Sequence, residues 1–152
     1  MYITRRKFLN ILTVSTAACA TLLAPITTWA AWASKAFNAT KLDDAYQNLF
    51  GTTTLTASDK IVLKLPKIAE NGGAVPVSVK TDLDSVETIN IFVKDNPNPL
   101  TASFHIPEGT IADISTRIRL AQTSTVTAVI NAGGKLHSAS QEVKVTIGGC
   151  GG

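Results

Sequence analysis

Cysteine, tryptophan and histidine are scarce in this chain of 152 residues, with two of each. The two cysteines are Cys19, near the start, and Cys150, near the end. Both tryptophans, Trp29 and Trp32, precede the segments that have strand-like patterns. The sequence therefore lacks the pattern of two cysteines around a buried tryptophan that marks antibody domains. It also lacks the clustered cysteines and histidines of a structural zinc site.

Motifs for common enzyme chemistry are absent as well. We find no nucleophile elbow, no phosphate-binding loop and no dinucleotide-binding glycine pattern. The histidines, His105 and His137, have no second ligand at metal-site spacing and are predicted to be solvated. The carboxylate pairs 43–44 and 82–84, and the arginine pair 117–119, are predicted to lie in a helix start, a turn and a polar strand face. The residues thus indicate no catalytic centre, no metal site and no cofactor of this chain's own.

The N-terminal segment has the layout of a secretory leader. Arg5, Arg6 and Lys7 form a basic start, an uncharged apolar stretch covers 11–23, and small-residue cleavage sites end at Ala30 and Ala33. The residues around Arg5 and Arg6 resemble the twin-arginine export motif, which a receptor reads. We therefore predict a signal peptide over 1–33, export of a folded protein to the periplasm, and no membrane anchor. A lipoprotein site at Cys19 is a weaker alternative because its neighbours match a lipobox poorly.

Removal of this leader changes the charge and the cysteine count. The formal net charge of +3 lies in the leader, so residues 34–152 carry 11 basic and 11 acidic side chains. The basic balance is therefore no argument for a nucleic acid or an anionic membrane as a partner. Cys150 becomes the only cysteine after export. An unpaired cysteine in an oxidising compartment indicates an intermolecular bond or a reactive thiol.

The remaining pattern is typical of an all-β protein. Apolar residues at helical spacing predict one helix over 39–50, with Thr40 as N-cap and Gly51 as its end. Period-two alternation then predicts about seven short strands separated by turns: 61–65, 75–80, 87–93, 102–106, 114–120, 126–130 and 138–147. We predict an immunoglobulin-like β-sandwich over 34–147, with the helix at its N-terminus and a flexible tail over 148–152.

Three apolar residues fall on the polar side of their predicted strands. They are Val62, Phe92 and Val129. Single exposed apolar side chains are ordinary, whereas a shared patch indicates a partner subunit. The sequence leaves both readings open, and these residues form our candidate partner surface.

The chain ends in a cysteine flanked by glycines: Gly148, Gly149, Cys150, Gly151 and Gly152. A frayed end with an incidental cysteine is the simplest interpretation. However, glycines make the segment thin and conformationally free, and five extended residues reach roughly 17 Å. The nearest base in sequence is Lys144, so nothing adjacent activates the thiol. This arrangement favours a tether that places the thiol inside another protein.

The terminal motif and several segments before it resemble the SoxY family of sulfur-carrying subunits. The resemblance also covers "DAYQNLFG", "KLPKIAENGGAVPVSV", "NPNPL", "ISTRIRLAQTS" and "GKLHSASQEVKVTIGGCGG". It implies an immunoglobulin-like domain, covalent attachment of thiosulfate-derived sulfur at Cys150, and a swinging arm formed by the four glycines. It further implies a stable partner, SoxZ, and transient contacts with the haem enzyme SoxAX, the manganese hydrolase SoxB and, where present, the molybdenum and haem enzyme SoxCD. Metals and haem would then belong to those partners, and this chain would be no enzyme.

Two other interpretations remain. Ubiquitin-like sulfur carriers also end in glycines, but they react at the terminal carboxylate after ATP-dependent activation, which an exported protein lacks. The second is an immunoglobulin-like binding or structural module in which Cys150 forms an intermolecular disulfide.

Overall fold

The computed structural model describes residues 34–146. Within this range lie two helices and nine strands. The helices are α1 (Ser34–Phe37) and α2 (Leu42–Phe50). The strands are β1 (Thr56–Ala57), β2 (Ile61–Lys64), β3 (Ile68–Ala69), β4 (Val75–Thr81), β5 (Val86–Val93), β6 (Leu100–His105), β7 (Asp113–Ile118), β8 (Ser124–Ala132) and β9 (Lys135–Val145).

The strands form two sheets. The smaller sheet has the order β2-β4-β7, and the larger has the order β1-β9-β8-β5-β6 with β3 also paired to β9. All pairings are antiparallel except those of β1 and β3, which run parallel to β9. The predicted β-sandwich is confirmed. The sequence missed β1 and β3 because two residues are too few to display an alternating pattern.

The main core lies between the two sheets. Val75, Val77 and Val79 of β4 point inward, as their alternation predicts, and each is at most 2 % exposed. They pack with the inward residues of the larger sheet, namely Ile89, Ile91, Val93, Val126, Ala128, Ile130 and Val143. Burying each such aliphatic side chain contributes about 1.5–3 kcal/mol, so this layer is the main source of stability.

A second core lies on the opposite face of the larger sheet, under the helices. Phe92, Leu100 and Val129 from the sheet pack with Ala45 and Tyr46 of α2. The rings of Tyr46 and Phe92 meet edge to face with centroids 4.6 Å apart. Such aromatic pairs contribute about 0.5–1.5 kcal/mol beyond the area they bury. The helices therefore form a third layer on the larger sheet, and the sequence does not predict that they pack there.

This layer corrects our candidate partner surface. Phe92 and Val129 are fully buried, so the prediction that they are exposed is wrong. They lie on the face away from the main core, as the alternation indicates, but α2 covers that face. Val62 alone of the three is exposed, at 45 %.

The boundaries of α2 show which local signals decide a helix. Lys41 occupies the N-cap position without a side-chain hydrogen bond, so Thr40 is not the cap that we predicted. Gly51 ends the helix as predicted. Its φ of 71° is left-handed and its N–H donates to the Gln47 carbonyl, a conformation that glycine adopts without a steric penalty. Neither helix within residues 34–146 is long and apolar enough to span a membrane.

Candidate functional site

The residues that the sequence singles out most strongly lie outside the described range. These are Cys150, the four flanking glycines, Arg5 and Arg6. The last described residue is Thr146, directly after β9. Because β9 leads to Cys150, the site that the structure offers is the set of contacts that hold the end of this strand. We call Ala69, Gly72, Thr123, Val145 and Thr146 the arm root.

One edge of the arm root is held by β3. The N–H of Lys144 donates to the carbonyl oxygen of Lys67 at 3.0 Å, and the N–H of Thr146 donates to that of Ala69 at 3.1 Å. In this parallel register Ala69 lies beside Val145. The short strand β3 therefore extends the pairing of β9 to the last described residue.

The opposite edge is held by a side chain. The antiparallel ladder between β8 and β9 ends at the pair Ser124 and Val143. Two residues later, the N–H of Val145 donates to Oγ1 of Thr123 at 3.0 Å. A hydroxyl thus takes the place of the carbonyl that β8 no longer supplies.

A close backbone contact lies behind the arm root. The N–H of Leu120 donates to the carbonyl oxygen of Gly72 at 2.8 Å. A Cβ atom on Gly72 would overlap the Leu120 carbonyl oxygen and lie 3.0 Å from Cγ1 of Val145. Only glycine permits this approach. Nothing in the sequence indicated that this glycine packs against β9.

Polar side chains from the β5–β6 loop fix the segment that carries Thr123. The amide of Asn96 donates to the Arg119 carbonyl at 2.7 Å and accepts from the Ala121 N–H at 2.9 Å. The hydroxyl of Ser124 donates to the Asp95 carboxylate at 2.9 Å. The residues on both sides of Thr123 are therefore anchored.

The charges at the arm root are mixed. Lys67 and Lys144 are exposed, and so are Glu70 and Glu142. The apolar side chain of Ile68, in register with Lys144, is 59 % exposed. No single sign of charge dominates this surface, so the described residues here provide no cationic site that would activate a thiol.

The histidines lie away from the arm root. His137 precedes Val145 by eight residues of one strand, about 27 Å at the usual rise. Its side chain is half-buried rather than solvated as we predicted, and its Nδ1 atom has no hydrogen-bond partner among the described residues. His105 ends β6 and is exposed, as predicted.

An open cleft of about 900 Å³ lies at the other end of the sandwich, between the loops 81–87 and 105–112. Its rim carries the carboxylates Asp82, Asp84, Glu87 and Glu108. Ile111, on the same rim, is 78 % exposed. Within residues 34–146, no group of three or more histidine, cysteine or acidic side chains is arranged to hold a metal ion.

Comparison with known proteins decides the family. The sequence profile described as "Sulfur oxidation protein SoxY" matches residues 46–150, which include Cys150. The chain belongs to the SoxY family. The sulfur carrier protein SoxY from Chlorobium limicola f thiosulfatophilum is 44% identical, with a TM-score of 0.64, over 70% of this chain and 97% of that one. The resemblance that we inferred from the terminal motif and the segments before it is thereby confirmed.

A more distant likeness concerns the fold alone. A superoxide reductase (neelaredoxin) from Ignicoccus hospitalis superposes with a TM-score of 0.53 over 60% of this SoxY-family chain and 94% of its own, at 14% identity. No curated protein matches the chain.

Proposed function

We propose that this SoxY-family protein is a non-catalytic carrier that holds thiosulfate-derived sulfur covalently on Cys150. The observation that carries the proposal is the family match, which runs to Cys150. The 44% identical relative is itself named a sulfur carrier protein. Cys150 is also the only cysteine in residues 34–152, so no competing thiol exists there.

The chemistry asked of the chain is simple. The Cys150 thiol loses its proton, its sulfur forms an S–S bond with the outer sulfur of thiosulfate, and the two electrons released pass to SoxAX. Water then cleaves the bond to the sulfone group in SoxB, which frees sulfate and one proton and leaves a persulfide, Cys–S–SH, on Cys150. Where SoxCD is present, it oxidises the remaining sulfane sulfur. This chain's part is to present the sulfur, with Gly148, Gly149, Gly151 and Gly152 as the thin arm.

The proposal includes a partner and a compartment. SoxZ would form the stable complex, since its family lacks an export signal and a folded pair suits twin-arginine export. The leader over 1–33, with Arg5 and Arg6, would direct the complex to the periplasm. We propose no metal or cofactor for this chain.

The decisive experiment is intact mass spectrometry of the SoxZ complex after incubation with thiosulfate, SoxAX and an electron acceptor. The wild type should gain an adduct of thiosulfate mass on Cys150, and SoxB should then remove sulfate from it. The matched variant Cys150→Ser should gain nothing. An unmodified wild-type chain under conditions in which SoxAX is active would refute the carrier role, and a disulfide-linked dimer as the sole product would favour the binding-module interpretation.

Export is tested separately with the double variant Arg5→Lys and Arg6→Lys. We expect the protein to remain in the cytoplasm of its host, because the receptor reads the arginine pair. Normal periplasmic accumulation of this variant would contradict the proposed route and leave the carrier role untouched.

A further inference from the structure

The end of β9 makes backbone hydrogen bonds beyond those of its ladder with β8. Pairing with β8 stops at Val143. A strand end without a partner on one edge opens readily, because little free energy separates the closed and frayed states. In this protein the N–H of Val145 nevertheless donates to the Thr123 hydroxyl, and the N–H of Thr146 donates to the Ala69 carbonyl.

Thr123 is well suited to this task. Its neighbour Ser124 is buried and bonded to Asp95, while Thr123 itself is exposed and turns its hydroxyl to the Val145 N–H. Since that hydrogen bond is exposed, water can replace it at little cost to global stability. Loss of this hydrogen bond would therefore free the last residues of β9 without unfolding the protein.

Gly72 contributes to the packing of Val145 through its close approach to the Val145 side chain. It is buried, and its α-carbon faces both the Leu120 carbonyl and the Val145 side chain so closely that a methyl group would displace one of them. The Leu120 segment is itself fixed by Asn96. The more severe overlap is with the Leu120 carbonyl oxygen, so a side chain at Gly72 would shift the backbone of residue 72 or of Leu120 and disturb the packing against Val145.

We infer that Thr123 and Gly72 are positioning residues that fix the point at which the carrier arm begins. The inference rests on the proposed carrier role of Cys150. We call the contacts of Thr123 and Gly72 with Val145 the clamp. While the clamp is closed, four residues follow Thr146 up to and including Cys150. Opening the clamp frees Val145 and Thr146 as well, so the thiol explores a larger volume and more residues must be ordered when the arm enters an enzyme.

The test compares Thr123→Val, which keeps the shape and loses the acceptor, with Thr123→Ser, which keeps the hydroxyl. SoxAX-dependent conjugation of thiosulfate to the SoxZ complex is measured at varied carrier concentration. For Thr123→Val we expect kcat/KM to fall about 3- to 10-fold through a higher KM, because the arm is longer and less ordered. Thr123→Ser should restore the wild-type KM.

Further measurements separate positioning from general damage. Hydrogen exchange at the Val145 and Thr146 amides should accelerate in Thr123→Val, while the melting temperature changes little. Reaction of Cys150 with a small aromatic disulfide should keep its wild-type rate, because that reagent needs no docked arm. Thr127→Val, which removes a hydroxyl bonded to Ser140 and Tyr46 in the middle of the same strand pair, should leave KM unchanged. Gly72→Ala should raise KM in the same direction.

Several results would overturn the inference. One is a wild-type KM for Thr123→Val, and another is an equal defect in Thr123→Val and Thr123→Ser. A rise in KM for Thr127→Val matching that of Thr123→Val would also do so. If the wild type itself acquires no sulfur, the proposed function fails rather than the clamp, and the exchange rates at Val145 and Thr146 still decide whether Thr123 holds the strand.

Discussion

At the scale of single residues, Phe92 and Val62 alternate with their neighbours in the same way but have opposite surroundings. Both point away from the main core. Phe92 is fully buried under α2, whereas Val62 lies on the uncovered outer face of the smaller sheet beside Lys80. Period-two alternation reports which face of a strand a side chain occupies, but it does not report whether another element covers that face.

The first prediction compares these two residues. Phe92→Ala should lower the free energy of unfolding by about 3–5 kcal/mol, because it leaves a cavity next to Tyr46 and Phe50. Val62→Ala should change it by no more than about 0.5 kcal/mol, as exposed substitutions usually do. Urea denaturation of both variants measures this, and similar values for the two would show that α2 does not cover Phe92 in solution.

A second prediction concerns Tyr46 and alkaline pH. Burial raises the pKa of Tyr46 above its ordinary 10.0; the hydrogen bond with Thr127 lowers it by less, and the nearby Asp43 carboxylate adds to the rise. The folded state therefore keeps the proton to a higher pH than the unfolded chain. This stabilising contribution is complete below about pH 10 and is lost as the pH rises through the folded pKa.

The free energy of unfolding, measured by urea denaturation at about pH 8 and about pH 11, tests this contribution of Tyr46. The wild type should lose more free energy of unfolding between these values than Tyr46→Phe, in which nothing titrates at this position. An identical pH dependence for the two proteins would exclude Tyr46 as a source of alkaline instability.

At the scale of elements, α2 is defined more sharply at its end than at its start. The N-cap residue Lys41 makes no side-chain hydrogen bond to the helix, so the start of α2 depends on packing of Ala45 and Tyr46 against the sheet. Gly51 ends the helix in a left-handed conformation with no atom within 4 Å of the position a Cβ would take. Any penalty for a side chain there comes from the backbone alone.

We therefore predict that Gly51→Ala lowers the free energy of unfolding by about 1–2 kcal/mol, the usual cost of a left-handed L-residue. Gly51→Asn should cost less, since asparagine tolerates this conformation. Thermal denaturation of the two variants gives the comparison. Equal costs would mean that the side chain meets a neighbour, contrary to the open space seen around Gly51.

At the scale of the whole molecule, the excess positive charge of the protein lies only in residues 1–33. The full sequence has a pI near 9.0, but residues 34–152 have balanced charge. The charges at the arm root are mixed and those on the distant cleft are acidic. A balanced charge gives no strong general affinity for polyanions, which is compatible with the proposed carrier role.

This balance leads to a simple prediction. Isoelectric focusing should place the fragment 34–152 near neutrality and the full-length chain in the basic range, because three cations leave with residues 1–33. The fragment should also elute without salt from a heparin column. Retention of the fragment on heparin would show a concentrated basic surface that the balanced count does not indicate.

The sequence by itself determined the β-sandwich, the positions of seven strands and the helix end at Gly51, because alternation and turn residues are local signals that reflect burial and backbone sterics. It also determined the family, through segments that include Cys150. Only the tertiary structure decided that α2 covers Phe92 and Val129, and that Thr123 and Gly72 meet Val145. These contacts join residues at least 22 positions apart in the chain, and no local pattern encodes a partner so distant.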